Sequence, residues 1–322
     1  MKSVKTLKKI AIQAIDTELN AIAGLKEYIN DDFASAVELI YRAKGRVVIT
    51  GIGKSANIAV KIVSTLNSTG TPAIFMHAAD AIHGDLGIIQ SDDVVCCISK
   101  SGETPEIKVL IPLLKARGNK LVGIVGNMGS YLAKQADYIL NTTVPKEACP
   151  NNLAPTSSTT AQLVMGDALA IALIEYRGFT QKDFARYHPG GAIGKKMYLK
   201  VGDLSVKNEK PEVDLDADFQ QVILEISEKR LGAAVVMGPD QELKGIITDG
   251  DLRRLLEKKP DLNKVKAKDF MTACPKTIGA GELVIDALEL MRKNNITQLP
   301  VSKNGKYAGI IHLHDILKEG II

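Results

Sequence analysis

The chain has 322 residues, of which 45% are hydrophobic and 24% charged, a composition typical of globular proteins with two or three domains. No apolar run approaches the roughly 20 residues needed to cross a bilayer, so we expect no membrane partner. The formal net charge is +4 with basic and acidic residues interspersed, tryptophan is absent and only 4% of residues are aromatic; this argues against nucleic-acid binding and fits a pocket for a small anion.

The N-terminal stretch MKSVKTLKKIAIQAIDTELNAI predicts an amphipathic helix. It begins with basic residues, its apolar residues then recur at helical spacing, and it has neither a continuous apolar core nor a small-residue cleavage site. The four cysteines show no C-x-x-C motif and no Cys/His spacing suited to zinc. We therefore expect a cytoplasmic protein whose thiols are reduced and buried or half-buried.

Short apolar runs alternate with amphipathic stretches between residues 46 and 143. The runs are RVVITG, PAIFM, DVVCCIS, KLVGIV and DYILNT, and they are mostly continuous, as expected for strands that are covered on both faces. Strand and helix in alternation predict an α/β fold with a five-stranded, parallel, doubly wound sheet and flanking helices. A long helix follows, capped by Thr156, Ser157 or Ser158 and ended by Gly178.

The stretch VVITGIGKSA, from Val47 to Ala56, suggests two kinds of phosphate site. An ATP-binding P-loop would need a glycine at Val48, inside the strand, so the loop is too short to wrap a triphosphate. A dinucleotide site would need an acid at the end of the next strand, where the sequence has His77 and reaches Asp80 only in the following loop. The dinucleotide interpretation is kept as an alternative.

A second loop, ISKSGETPEI, follows the third strand and suggests a site for a phosphomonoester. Hydroxyls near a helix N-terminus add donors to the exposed N–H groups and to the helix dipole, all of which attract an anion. The two loops could share one crevice at the carboxyl ends of the strands. The candidate phosphate-binding residues are Gly53, Ser55, Ser99, Ser101, Gly102 and Thr104. Two serine-capped helices with nothing bound are the structural alternative.

The C-terminal part contains an internal repeat. LKGIITDGDLRRLLE resembles YAGIIHLHDILKEG, with Gly245 and Gly309 aligned, and the segments upstream also match. Each unit reads as helix, strand, strand, helix, and a repeat this short buries its apolar face poorly alone, so we expect the two to pack together.

These motifs resemble known families. The pair GIGKS and SKSGET on such a sheet resembles the sugar isomerase (SIS) domain, and the repeats resemble CBS domains. With HGDLG, KEACP, LAPTSSTT, MGDALA and HPGGA, nearly the whole chain resembles the D-arabinose 5-phosphate isomerases. The domains expected are a SIS phosphosugar isomerase domain at 1–198, a first CBS domain at 203–262 and a second at 266–322.

The resemblance implies an aldose–ketose isomerase that interconverts D-ribulose 5-phosphate and D-arabinose 5-phosphate through an enediolate and supplies Kdo and lipopolysaccharide synthesis. It implies a pentose 5-phosphate as partner, a homotetramer and no required cofactor. Two alternatives stay open: a non-catalytic phosphosugar sensor, which needs the serine loop but no acid–base pair, and an isomerase of another sugar phosphate.

Such an isomerisation needs a general base, a group that stabilises oxyanion charge and a phosphate anchor. The side chains suited to these roles follow strands or open helices: Lys54, His83, Glu106, Glu147 and His188. Each also has an ordinary structural interpretation, such as a surface lysine or an acid at a helix N-terminus.

The resemblance implies that Lys54, Glu106, Glu147 and His188 are catalytic and that His83 contacts the substrate and binds an inhibitory zinc ion. Glu147 and His188 are the expected proton-transfer pair, in an order that the sequence leaves open. His188 could serve a neighbouring chain, because related SIS enzymes build sites across subunit contacts.

Two positions depart from the family patterns. Many relatives carry an uncharged residue at the position of Lys100, whose ammonium would tighten phosphate binding if it entered the site; we expect it to point to solvent. The CBS ribose pattern is a hydroxyl three residues before an aspartate, as in Thr248 and Asp251, but the second repeat pairs His312 with Asp315. A regulatory nucleotide or CMP-Kdo at the CBS pair is expected, with packing alone as the alternative.

Overall fold

The structure, a computed structural model, describes residues 3–321, and its contacts divide it into two units between Tyr187 and His188. The division falls before residue 198, where the sequence predicts the end of the first domain. The segment from His188 to that point groups with the second unit. The predicted domain boundaries therefore stay predictions.

The first unit is built on a five-stranded parallel sheet with the strand order β2-β1-β3-β4-β5. The five apolar runs of the sequence form these strands, which confirms the predicted fold class. Their bounds are β1 (Val47–Gly51), β2 (Ala73–His77), β3 (Val94–Ser99), β4 (Lys120–Val125) and β5 (Tyr138–Asn141).

Helices cover both faces of this sheet. They are α1 (Val4–Gly24), α2 (Asp31–Arg42), α3 (Lys54–Ser68), α4 (Ala78–Ala81), α5 (Pro105–Ala116), α6 (Tyr131–Gln135), α7 (Ser157–Arg177) and α8 (Gln181–Tyr187), with 3₁₀ turns at Leu25–Tyr28 and Asp85–Ile88. Residues of α2, α3 and α7 form one hydrophobic core with one face of the sheet, and residues of α4, α5 and α6 form a second core with the other face.

Neighbouring residues of each strand therefore enter different cores. In β3, Cys96 belongs to the first core and Cys97 to the second, because successive side chains of a strand point to opposite faces. Burial raises the pKa of each thiol to about 12, so both stay protonated. Cys274, by contrast, is exposed, so the expectation of a buried or half-buried thiol is wrong there.

Helix α7 is the long helix predicted from the sequence, with Thr156 at its N-cap and Gly178 in the left-handed conformation at its end. Among residues 3–321, it is the one helix whose length and composition would also suit a membrane span. Half of its most apolar window is buried inside the fold, where α7 packs against α1, α2 and α3. These contacts are typical of a central core helix.

The second unit confirms the internal repeat, since each half has the order helix, strand, strand, helix. Its helices are α9 (Ala192–Tyr198), α10 (Val201–Ser205), α11 (Phe219–Lys229), α12 (Asp249–Glu257), α13 (Ala267–Phe270), α14 (Val284–Asn294) and α15 (Leu313–Lys318). Its strands are β6 (Glu212–Asp214), β7 (Ala233–Met237), β8 (Leu243–Thr248), β9 (Thr272–Ala273), β10 (Ile278–Gly279), β11 (Gln298–Lys303) and β12 (Lys306–His312).

The two repeats form separate sheets, ordered β6-β7-β8-β9 and β10-β11-β12, and pack against each other. Val235 and Ile246 of the first repeat share a buried cluster with Ile310 of the second. Across the same contact, the Gln298 side-chain amide donates to the Leu231 carbonyl at 3.2 Å. The expected packing of the two repeats is therefore confirmed.

Candidate functional site

The first unit has its topological switch point at the carboxyl ends of β1 and β3. These strands are neighbours, with Gly51 paired to Ile98. The helix after β1 packs on one face of the sheet and the helix after β3 packs on the other, so a crevice opens between the two loops. Both loops that the sequence predicts to bind phosphate lie at this edge.

The loop after β1 consists of Ile52 and Gly53 alone, because α3 begins at Lys54. Gly53 has φ +58°, a conformation that favours glycine. Lys54 is exposed, and the Ser55 hydroxyl donates to Oε1 of buried Gln162 at 3.1 Å. A loop of two residues does not wrap a triphosphate, as the sequence predicts.

The loop after β3 is folded by its own hydroxyls. Buried Ser99 accepts a hydrogen bond from the Gly102 N–H at 2.9 Å, and Ser101 accepts one from the Glu103 N–H at 3.3 Å. Gly102 has φ +65°, and a Cβ there would lie 2.2 Å from Oγ of Ser130. The turn therefore needs glycine at this position.

Thr104 caps the helix that follows this loop, yet its hydroxyl makes no cap bond. Thr104 Oγ1 is shielded from solvent and has no hydrogen-bond partner among residues 3–321. A shielded polar atom without a partner is costly unless something else satisfies it. Together with the N-terminus of α5, this hydroxyl suits an anion with several acceptor oxygens.

Glu147 lies in the loop after β5, and its side chain is fully buried. One oxygen, Oε2, accepts hydrogen bonds from the N–H and hydroxyl of Thr156 at 2.9 and 3.2 Å and from the Ser158 N–H at 3.1 Å. The carboxylate thus caps the N-terminus of α7, where the Thr156 side chain makes no cap bond. The other oxygen, Oε1, lies 2.6 Å from Nζ of Lys100.

These contacts fix the charge of Glu147. Burial alone would raise its pKa, but the hydrogen bonds from Lys100, Thr156 and Ser158 outweigh burial and lower the pKa to about 2. Glu147 is therefore a carboxylate at neutral pH, although no part of its side chain reaches solvent.

The expectation that Lys100 points to solvent is wrong. Its ammonium forms an ion pair with Glu147, while its side chain keeps 46% of its surface exposed. The reason is electrostatic: a buried carboxylate is strongly destabilised without a partner, and Lys100 is the cation that the loop after β3 supplies.

The remaining predicted residues occupy three different settings. His83 is exposed just after α4, and its N–H donates to the Asp80 carbonyl at 2.9 Å. Glu106 is half-buried in the first turn of α5. His188 opens the second unit, where its carbonyl accepts a hydrogen bond from Gly191 at 3.1 Å. Within residues 3–321, no group of three or more His, Cys, Asp or Glu side chains is arranged to hold a metal ion.

In the second unit, Thr248 and Asp251 line a cleft of about 550 Å³. Asp251 accepts hydrogen bonds from the Thr248 hydroxyl at 2.7 Å and from Arg254 at 2.6 Å. Burial alone would raise the pKa of Asp251, but the bonds from Thr248 and Arg254 lower it. A ribose hydroxyl would therefore have to replace one of these partners on the carboxylate.

Asp315 lines a second cleft, of about 830 Å³. It accepts hydrogen bonds from the Asn208 amide at 2.7 Å and from the His312 N–H at 3.1 Å. Burial and the neighbouring His314 lower the pKa of His312. The two clefts therefore differ in the residue three positions before the aspartate, which is Thr248 in the first cleft and His312 in the second.

The sequence did not predict the residues that hold the side chains of the candidate site in place. Gln162 binds Ser55 across 107 positions of sequence, and Thr156 and Ser158 bind Glu147. The stretch LAPTSSTT indicates a helix start but not which acid caps it. The structure shows that the Thr156 side chain makes no cap bond, so the N-terminus of α7 needs an acceptor from elsewhere.

Comparisons with known proteins give the family. The SIS domain family matches residues 39–172, and the CBS domain family matches residues 201–258 and 267–321. Arabinose 5-phosphate isomerase KdsD of Yersinia pestis is 47% identical over 311 residues, covering 96% of this chain and 95% of that protein. The KdsD protein of Pseudomonas aeruginosa is 46% identical over 314 residues, covering 97% and 96%.

A solved structure is similar to the sheet-containing part of the chain. It is a protein of Escherichia coli CFT073 in complex with arabinose 5-phosphate, 40% identical with a TM-score of 0.57. The match covers 58% of this chain and all of that chain. From the shared sheet, the near full-length identity and the matched domains, it follows that this chain belongs to the family of arabinose 5-phosphate isomerases.

Proposed function

We propose that this protein interconverts D-ribulose 5-phosphate and D-arabinose 5-phosphate. The observation that carries the proposal is the hydroxyl-rich loop after β3, which meets the loop after β1 at the switch point. Relatives named arabinose 5-phosphate isomerase, and the similar protein in complex with arabinose 5-phosphate, favour a pentose 5-phosphate as the sugar.

The phosphate would sit at the N-terminus of α5. Thr104 supports this placement because its hydroxyl lacks a partner among the described residues and is shielded at the helix end. The other proposed phosphate contacts are those predicted from the sequence: Gly53, Ser55, Ser99, Ser101 and Gly102. Hydroxyl and N–H donors bind the phosphate dianion through hydrogen bonds alone, so the sugar phosphate can leave after each turnover.

The reaction moves two protons. A base takes the proton from C1 of the ketose, and the electrons of that bond form the enediolate. C2 then receives a proton while the hydroxyl proton of O1 passes to O2, which leaves O1 as the aldehyde oxygen. Lys54 at the crevice mouth is suited to stabilise the negative charge on the enediolate oxygens. His83 would contact the sugar, and His83 is also the residue at which an inhibitory zinc ion would bind.

Glu106, Glu147 and His188 are the proposed acid–base groups. Glu147 is ionised and so is able to accept a proton, but its low pKa makes it a weak base while Lys100 is bound to it. The order of Glu147 and His188 in the two proton transfers stays open. A sensor would not need these groups, so the family membership and the ionised carboxylate together favour catalysis over sensing.

The CBS pair is proposed to regulate the enzyme through a nucleotide or CMP-Kdo bound at Thr248, Asp251 or Asp315. The two clefts described above support a ligand of nucleotide size. Titration of each compound by calorimetry tests this, and heat from neither compound would leave packing as the role of the pair.

The proposal also covers the compartment, the pathway and the oligomeric state of the enzyme. The enzyme would act in the cytoplasm, supply Kdo for lipopolysaccharide and assemble as a homotetramer through its SIS domains. Exposed apolar side chains along α1, such as Ile12, Ile15 and Leu19, offer a surface for such contacts. Sedimentation analysis of the purified protein measures the oligomeric state directly.

The test is proton NMR of the purified protein with ribulose 5-phosphate in D₂O, without added metal or nucleotide. We expect arabinose 5-phosphate with deuterium at C2, and at least a hundredfold slower exchange for Glu147→Gln. Glu103→Gln, which changes an exposed acid in the loop after β3, is the control and should stay active. If the folded wild-type protein exchanges nothing, the isomerase proposal fails and the sensor takes its place.

A further inference from the structure

The two oxygens of the Glu147 carboxylate have different environments. Oε2 accepts three hydrogen bonds, from the N–H and hydroxyl of Thr156 and from the Ser158 N–H. Oε1 accepts one, from Lys100 at 2.6 Å. Since a carboxylate oxygen offers about two lone-pair sites, Oε2 is saturated and Oε1 keeps one free. A proton taken from a substrate must therefore go to Oε1, the oxygen that Lys100 binds.

Lys100 reaches this oxygen from the phosphate loop itself. It directly follows Ser99, and its carbonyl accepts a hydrogen bond from the Gly126 N–H at 3.2 Å, which anchors its backbone to the end of β4. Its side chain is 46% exposed, whereas that of Glu147 is fully buried. The ammonium is thus the solvent-accessible partner of a buried carboxylate.

Lys100 supplies a positive charge in direct contact with Glu147. The groups that face it from the start of α7 are the N–H groups and the hydroxyls of Thr156 and Ser158. From its own loop, Asn152 accepts the Glu147 N–H at 2.7 Å. The charge of the buried carboxylate is therefore balanced by Lys100, with the N-terminus of α7 adding partial charge.

We propose that Lys100 is a positioning residue for the isomerisation, which holds Oε1 of Glu147 in one orientation toward the crevice as the proton-accepting oxygen. The inference rests on the proposed function, because it assigns Glu147 a part in proton transfer. It goes beyond that function in giving the phosphate loop a second role, since the loop both holds the phosphate and orients the acid–base group.

Removing the ammonium has two physical consequences. The carboxylate loses the contact that orients Oε1, and small errors in the position of a reacting group lower a rate steeply. The Glu147 carboxylate also stays buried after the positive charge of Lys100 is removed, so its pKa should rise. Neither consequence involves the hydroxyls that hold the phosphate, so substrate affinity should change little.

The test compares Lys100→Met with Lys100→Arg and with the control Lys108→Met, which removes an exposed lysine paired to Glu103 near the same loop. For Lys100→Met we expect kcat to fall by about tenfold or more while KM stays within about twofold. Lys100→Arg should restore most of kcat, and Lys108→Met should match the wild-type protein. Thermal unfolding of each variant shows whether it is folded.

A second measurement does not depend on activity. Carbon-13 NMR of protein labelled at the glutamate carboxyl carbons, with Glu147 assigned by Glu147→Gln, follows the ionisation of this carboxylate. We expect the Glu147 resonance to titrate at least one pH unit higher in Lys100→Met than in the wild-type protein. Lys108→Met should leave the titration of Glu147 unchanged.

Three results would overturn the inference. An unchanged titration of Glu147 would refute the ion pair, and a raised KM with unchanged kcat would make Lys100 a phosphate ligand. Wild-type kinetics in a folded Lys100→Met would show that the ion pair has no part in the reaction. If the wild-type protein lacks isomerase activity but the titration still shifts, the proposed function fails and the ion pair alone stands.

Discussion

Glu147 shows how a carboxylate stays ionised inside a protein. Its side chain is fully buried, and burial alone would favour the protonated acid. One cation and the N-terminus of a 21-residue helix reverse that preference. The same contacts hold together the loop after β5 and the start of α7, so this residue couples local stability to the proposed chemistry.

Acid unfolding should reveal this contribution. Because the pKa of Glu147 is lowered from 4.5 to about 2, its stabilising effect is complete above pH 4.5 and is lost as the pH falls toward 2. The difference corresponds to about 3 kcal/mol. Urea unfolding at several pH values should show a flatter acid dependence for Glu147→Gln, even though that variant is less stable at pH 7.

Glu103→Gln provides the comparison for this experiment. Glu103 also has a lowered pKa, from its bonds with Lys108 and Tyr131, but solvent screens its exposed ion pair. Its substitution should leave the acid dependence almost unchanged. Equal slopes for the wild-type protein and Glu147→Gln would contradict the ionised state assigned to Glu147.

Among the elements, α7 depends most on close packing. It crosses α3 at Gly166, where an added Cβ would lie 2.3 Å from Cδ1 of Ile62. Ile62 is fully buried in the first hydrophobic core. The helix can approach so closely because glycine leaves space for the isoleucine, which places the Gln162 side chain beside Ser55 one turn earlier.

Gly166→Ala should therefore destabilise the first unit by about 1–3 kcal/mol, although alanine is the better helix former. Combined with Ile62→Ala, it should cost less than the sum of the two single substitutions, because the new methyl group fills part of the cavity. Urea unfolding measures these values.

Gly24→Ala is the matched control in this set. Gly24 ends α1, and an added Cβ there meets nothing within 4 Å. The substitution should leave the unfolding free energy within about half a kcal/mol of the wild-type value. Strict additivity of Gly166→Ala and Ile62→Ala would contradict the proposed contact.

At the scale of the whole molecule, the residues proposed for catalysis do not all belong to the first unit. Lys54, Glu106 and Glu147 lie in that unit, while His188 is the first residue of the second. The similar protein in complex with arabinose 5-phosphate is covered completely by 58% of this chain. A protein of that length therefore holds the sugar phosphate without a counterpart of the remaining residues.

Two fragments test how much of the chain catalysis needs. We expect residues 1–198 to keep isomerase activity within about tenfold of the full chain, and residues 1–187, which lack His188, to lose at least a hundredfold. Circular dichroism and thermal unfolding of both fragments control for folding. Equal activity of the two fragments would remove His188 from the proposed acid–base groups.

Local patterns in the sequence predicted most of the fold. The continuous apolar runs of β1 to β5 indicate buried parallel strands because each run alone carries the hydrophobicity of a strand covered on both faces. The repeated pattern in the second unit is local in the same way. The family and its isomerase activity, predicted from motifs such as HPGGA and KEACP, are confirmed by the relatives.

Local sequence patterns did not predict the contacts of the candidate site. Lys100 and Glu147 are 47 positions apart, and Ser55 and Gln162 are 107 apart. Whether such side chains meet depends on the strand order and on the faces that α3, α5 and α7 cover, which no single segment encodes. Lys100 was therefore expected in solvent, since an isolated lysine is most stable there. Only the folded chain presents it with a buried carboxylate, whose attraction outweighs hydration.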